Sequence, residues 1–305
     1  MKSTIGVYSA PESHWAGAAE RRAIPWWLWG NVLSIDAPAV ALAWAVLFAH
    51  ASGIRLPAAE AEALVLSVWI IYTGDRLLDG WSAKDHAVLQ ERHLFCEQHR
   101  FVLVVSVAAA SGLVLWLMGD GALAAQAIAG VKLGFILVLY MAVIHAGGGR
   151  IARVLPKEVA VGLLFAVGVT LPIWTRRTGF SWRECLVWGF FSLLCSLNCL
   201  SIECWENHRR GAGWRQPPHP FVRWAEPGIN RFAAALAAGA LVAGLVGDVN
   251  GPSQTVLFAT GGGALLLLLL GCIRTRCSPS ELRVLADAGV LVPALVALMM
   301  EVGKS

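Results

Sequence analysis

Nine long apolar stretches divide the chain, at approximately 26–50, 60–80, 100–118, 122–145, 157–175, 183–206, 230–247, 254–273 and 282–300. A helix needs roughly 20 mostly apolar residues to cross the hydrocarbon core of a bilayer, and each stretch is about that long. No alternation of apolar and polar positions persists long enough for a membrane β-barrel, and no internal repeat stands out. The polar connectors are short except at 81–99, which holds Lys84, Asp85, His86, Glu91 and Arg92, and at 207–229, which holds Arg209, Arg210 and Arg215, then Pro217, Pro218 and Pro220. The pattern predicts an all-α, polytopic membrane protein with nine transmembrane helices. Residues 1–25 form a polar N-terminal segment and 26–305 a single helical domain. No short apolar run with a small-residue cleavage site follows the start, so a signal peptide is not expected.

Composition agrees with this pattern. Of 305 residues, 57% are hydrophobic and 14% charged, against about 45–50% and about 25% in soluble domains. A disordered chain, a secreted disulfide scaffold and an ordinary soluble α/β enzyme are excluded. The net charge of +4 is mild and suits cytoplasmic loops rather than nucleic-acid binding. The seven cysteines contain no CxxC pair and read as small buried thiols. Several of the fourteen tryptophans end apolar runs, as an interfacial belt would.

Charge changes the picture more. With the N-terminus in the cytoplasm, nine spans put 18 of the 24 Lys and Arg residues on the cytoplasmic side and five on the other, with Lys132 inside the fourth span. That asymmetry sets the expected orientation. The second span ends Tyr72-Thr73-Gly74-Asp75-Arg76-Leu77-Leu78-Asp79, where Asp75 and Asp79, four apart, share a helical face. The sixth span ends with Asn198, Glu203 and Glu206 within about two turns. Both clusters fall on the cytoplasmic side.

Carboxylates held together at a membrane boundary repel one another, and a divalent cation removes the repulsion. Mg²⁺ is commonly held by one or two carboxylates together with substrate phosphates. Asp75, Asp79, Asn198, Glu203 and Glu206 therefore form a candidate Mg²⁺ site, with Asp75 and Asp79 as its catalytic pair. Arg76, Lys84, Arg92, Arg150, Arg153 and Lys157 are the candidate cations for a diphosphate. Arg76 lies off the Asp75–Asp79 face, so a salt bridge is its alternative role. Interfacial ion pairing is the alternative for the whole cluster. Inside the spans, Asp36 is a further intramembrane charge with Lys132 as one candidate partner, and Arg283 and Asp287, four apart, suit a local ion pair.

On these residues the chain resembles the UbiA-type intramembrane prenyltransferases, which have nine transmembrane helices and acidic motifs ending the second and sixth. The usual NDxxDxxxD reads here Ile71-Tyr72-Thr73-Gly74-Asp75-Arg76-Leu77-Leu78-Asp79. Its last two aspartates match, and its leading Asn-Asp pair is replaced by Ile71 and Tyr72. The second motif is replaced by Asn198, Glu203 and Glu206. Arg153-Val154-Leu155-Pro156-Lys157-Glu158 is similar to the basic entry into the family's fifth helix. The resemblance implies a UbiA-like bundle and Mg²⁺-dependent ionisation of an isoprenyl diphosphate. The prenyl group then passes to a lipophilic, commonly aromatic, acceptor within the bilayer, from an apolar pocket walled by Trp69, Tyr72, Tyr140 and Phe165. Core packing is the alternative role of those aromatics. A membrane terpene cyclase, and a transporter or non-catalytic membrane protein, are the alternative functions.

Overall fold

The computed structural model describes residues 24–82, 91–119, 124–146, 156–177, 179, 181–210, 219–246 and 252–303. These form helices joined by short turns, with no strand among the described residues. Residues 1–23 of the N-terminal segment lie outside them.

The first apolar stretch is broken. A 3-10 turn, Trp26–Leu28, leads into α1 (Trp29–Val32), and α2 (Asp36–Ala51) follows at 77° to this first piece. Ser34 sits at the break with φ 60°, in the left-handed region, and is buried. Then come α3 (Ala58–Ser82), α4 (Glu91–Gln98), α5 (Arg100–Met118), α6 (Ala124–Ala146), α7 (Lys157–Trp174) and α8 (Trp182–Arg210). The chain closes with α9 (Pro220–Ala225), α10 (Ile229–Val246), α11 (Pro252–Ile273) and α12 (Pro279–Val302). The start of α12 is a capping box: the Glu281 N–H donates to Ser278 Oγ at 3.2 Å, and the Ser278 N–H donates to Glu281 Oε2 at 2.6 Å.

Every apolar stretch of the sequence coincides with a helix or, for the first, with the broken pair. Six helical stretches are long and apolar enough to cross a membrane among the described residues: Arg100–Met118, Lys157–Trp174, Trp182–Glu206, Pro220–Val246, Ser253–Arg276 and Pro279–Glu301. The bent pair taken as one span makes seven. The expected nine is thus matched only in part, for a physical reason. α3 carries Glu60, Glu62, Asp75, Arg76 and Asp79 along 25 residues, and the qualifying apolar run of α6 is confined to Ala125–Tyr140.

Consecutive helices pack as neighbours: α10 on α11, α11 on α12, α7 on α8, and α3 on both α2 and α5. α2, α8, α11 and α12 surround the densest core. There Trp44 is fully buried, with its ring 4.5 Å from that of Phe191 and its indole N–H donating to the Val290 carbonyl at 3.1 Å. α5 and α6 lie outside this core and present Phe101, Leu115, Trp116 and Phe135 outward, each more than two-thirds exposed. An apolar surface of that extent is what lipid covers.

Close approach of α7 to α8 rests on Gly162. A methyl group there would meet the Ser196 backbone at 2.4 Å. Small residues at such crossings let helices associate by packing where lipid removes the hydrophobic drive. Gly162→Ala should destabilise the purified protein by about 1–3 kcal/mol. Gly112→Ala, with open space around it, should leave stability unchanged. Thermal unfolding in detergent, followed by tryptophan fluorescence, measures both.

Candidate functional site

Charged side chains gather in two rims, one at each end of the bundle. At one end Glu60, opening α3, accepts from Arg176 just beyond α7, at 2.8 Å for one of its two bonds. Nearby Arg177 pairs with Glu184 and donates to the Ser52 carbonyl at 2.9 Å. Thr255 donates to Glu301 at 2.7 Å, and His50 Nε2 lies 3.4 Å from the same carboxylate. At the other end Lys157 Nζ donates to Asp75 Oδ1 at 3.2 Å, joining the start of α7 to the last turns of α3. Arg283 holds Glu206 through Nε at 3.1 Å and through a second bond, joining α12 to α8. Antiparallel packing creates both rims, because helix starts and helix ends alternate around the bundle.

Between the rims, α3, α6 and α7 leave a cavity of about 450 Å³. Its wall is almost wholly apolar, including Leu64, Val68, Leu133, Leu164 and Phe165, and Gly130, Gly134 and Gly168 widen it. Glu60 stands at one end, with Asp75 and Lys157 at the other. The 15 residues from Glu60 to Asp75 correspond to about 22 Å of helix. The groove is thus a long apolar slot with charged side chains at each end.

The residues singled out in the sequence are distributed as follows. Asp75, Lys157, Tyr72 and Phe165 line the groove. Tyr140 is not among its lining residues, and its hydroxyl is buried with no hydrogen-bond partner among the described residues. Asp79 and Arg92 lie in α3 and α4, but their side chains are outside the description, as are Lys84, Arg150 and Arg153 altogether.

Arg76 and Trp69 require correction. The Arg76 guanidinium is buried and donates to the carbonyl of Asn31 and, at 3.4 Å, to that of Val32. The Trp69 indole N–H donates to the carbonyl of Leu33 at 2.9 Å. These three carbonyls lie where the first span breaks; the Asn31 carbonyl also takes the Ser34 N–H at 3.0 Å, and the side chains from α3 complete the set. Arg76 and Trp69, seven apart on one face of α3, therefore hold the break; neither faces the groove. A second correction concerns Arg283 and Asp287, which do not pair with each other. Arg283 takes Glu206, while Asp287 accepts from Asn198 Nδ2 at 3.0 Å. Asp36 takes Asn31 Nδ2 at 2.6 Å, and Lys132 is exposed.

Three members of the candidate Mg²⁺ set are engaged with other side chains, and the Asp79 side chain lies outside the description. Asp75 is bound to Lys157, Glu206 to Arg283, and the Asn198 amide to Asp287. Among the described residues no three His, Cys, Asp or Glu side chains are grouped as they would be around a metal ion. The groove itself had only a faint signal in the sequence, the glycines at 130, 134 and 168. The buried polar pairs had a clearer one in the intraspan charges Asp36 and Asp287.

No protein-family model, curated protein or solved structure matches the chain.

The role of Arg76 separates a structural from a substrate-binding reading. Arg76→Leu should cost about 3–5 kcal/mol, since it leaves buried polar partners uncompensated. Trp69→Phe, which removes one donor and keeps most of the ring, should cost about 1 kcal/mol. Urea unfolding in mixed micelles measures both; an Arg76→Leu protein as stable as the parent would refute the holding role.

Proposed function

We propose that the chain is a nine-span intramembrane prenyltransferase of the UbiA type, with the Asp75–Lys157 rim and the N-terminus on the cytoplasmic side. The observation that carries this reading is the groove: an apolar slot of about 450 Å³ ending at an ammonium group. An isoprenyl diphosphate matches it, tail along α3, α6 and α7, diphosphate at Lys157. Helix correspondence with all nine apolar stretches supports the bundle, and the 18-to-5 asymmetry of cations supports the orientation.

In the reaction the allylic C–O bond breaks and its electron pair leaves with the diphosphate. Lys157 offsets the growing negative charge there. The acceptor supplies an electron pair for the new bond to the prenyl carbon and loses a proton. Of the two carboxylates on the groove, Glu60 is held by Arg176 at the far end, which leaves Asp75 as the group for that proton. The apolar wall keeps water from the cationic carbon, and the faces of Tyr72 and Phe165 can stabilise it.

A second reading has its own observation. Asp75 and Glu206, one from each acidic helix end, are matched by cations of the protein, which favours a non-catalytic lipid-binding protein that holds the same ligand without turning it over.

Reconstituted protein should bind radiolabelled farnesyl or geranylgeranyl diphosphate saturably. Lys157→Ala should weaken binding by roughly 10–100-fold, the worth of a charge-assisted hydrogen bond. A side chain added at Gly134 meets nothing within 4 Å, so Gly134→Leu should fold normally yet occupy the groove and lower affinity roughly tenfold or more. Diphosphate release with a prenylated lipid product supports the transferase. Binding without release from any acceptor-containing lipid extract supports the second reading. Absence of binding refutes both.

A further inference from the structure

The end of the groove remote from Lys157 carries a polar side chain that a prenyl diphosphate leaves unused. Gln126, in the first turn of α6, lines the groove and is 7% exposed. Among the described residues no side chain or backbone group bonds to its amide. Its place along the groove follows from how α6 meets α7. Gly130 lies opposite Leu171, where an added methyl would touch the leucine at 3.8 Å, and Gly168 lies opposite Leu133, at 3.6 Å. The two helices therefore run antiparallel. Gln126, one turn before Gly130, falls beside the end of α7, where Arg176 holds Glu60. A buried amide with neither its donors nor its acceptor matched costs free energy and marks a missing neighbour.

The chemistry of that neighbour follows from what this end offers. Gln126 presents two N–H donors and one carbonyl acceptor. Glu60 lines the same end, takes Arg176 on both of its oxygens, and keeps room on each for a further donor. A phosphate or carboxylate here would face the Glu60 charge, and an ammonium group would compete with Arg176 for it. A ketone or ester carbonyl would take an N–H of Gln126 but leave its oxygen and Glu60 unmatched. A hydroxyl group accepts from the amide nitrogen and donates to a carbonyl or carboxylate oxygen, and it brings no charge to bury. A wholly apolar tail filling this end would strand the amide or trap water against it. A tail ending in a hydroxyl does neither.

We infer that the Gln126–Glu60 end of the groove is a subsite for a hydroxyl group. The ligand class is then an amphiphile whose apolar chain runs between an anionic head at Lys157 and a hydroxyl at its remote end. The head group rests on the prenyl diphosphate reading; the hydroxyl subsite rests on Gln126 and stands without it. Gln126 thereby sets specificity at the far end of the groove and takes no part in chemistry at the head.

Two pairs of tritiated probes test this on reconstituted full-length protein, with partition into protein-free vesicles subtracted. One pair is geranylgeranyl diphosphate with and without a hydroxyl on its terminal methyl group. The other is geranylgeranyl methyl ether with and without the same hydroxyl, which removes the anion. In the parent the hydroxylated member of each pair should bind roughly 5–10-fold more tightly, the worth of one neutral hydrogen bond. In Gln126→Met the preference should vanish in both pairs, and the plain probes should bind at least as tightly as they do to the parent. A merely structural glutamine would weaken both members together and leave their ratio unchanged. If the diphosphates fail to bind while the ethers show the preference, the prenyl diphosphate reading falls and the subsite stands. A parent that binds both members of each pair equally overturns the subsite, whatever the variant does, and shows that water serves Gln126 instead. A preference that survives in folded Gln126→Met overturns it as well, and so does the absence of binding by all four probes.

Discussion

Three backbone carbonyls, of Asn31, Val32 and Leu33, set the constraint on which the rest of the bundle depends. They fall where the first apolar stretch turns through 77°, and Ser34 takes a left-handed conformation to make that turn. In an apolar interior every such group needs a donor. The Ser34 N–H serves Asn31, and α3 supplies further donors to all three from Arg76 and Trp69, two turns apart on one face. The consequence runs in both directions. α2 can start at Asp36 only because the break is held, and α3 can keep a buried arginine only because the break presents oxygens to it. The direction of α2 then brings Trp44 onto Phe191 and Val290, at the centre of the packed core.

The same economy governs the other charges. Asp75, Glu206, Glu60 and Glu184 each meet a cation from another helix or connector. Apart from Glu184 and Arg177, seven positions apart, these partners lie far apart in sequence yet at the same end of the bundle, because antiparallel neighbours bring starts beside ends. Ion pairs at both rims leave the middle of the bundle to apolar packing, except where Asp36, Asn198 and Asp287 meet. On the α5–α6 side packing is loose, and the groove between α3, α6 and α7 is the space left there, floored by glycines.

What the sequence made legible follows from which signals are local. Apolar length is local, so each stretch could be placed on its helix. The break at Ser34 was not legible, because a left-handed serine leaves no pattern in hydrophobicity, and the stretch 26–50 reads as one span. The acidic ends of the second and sixth stretches were legible as clusters of charge. Their partners were not: spacing suggested Arg283 with Asp287, whereas the fold joins Arg283 to Glu206 across 77 positions and Asp287 to Asn198 across 89. A side chain on a helix has neighbours on its own helix and neighbours on the next one. Only the first kind can be counted along the chain. For the same reason Tyr72 and Phe165 could be named as wall residues, while Trp69, on the same helix as Tyr72, could not be separated from them.

The ion pairs differ in a way that bears on the groove. The Glu60 and Glu206 side chains are 2% and 4% exposed, so their partners cannot leave without stranding a buried charge, at a cost of about 3–5 kcal/mol. Lys157 and Asp75 are 38% and 29% exposed. A pair so open to solvent is worth only about 1 kcal/mol or less. A diphosphate brings several anionic oxygens to the same ammonium, and charge-assisted bonds of that kind exceed what Asp75 offers. The pair at the mouth of the groove is therefore the exchangeable one, and the others fix the walls. On the reading proposed above, Lys157 is a cation held in place by a partner weak enough for a diphosphate to displace.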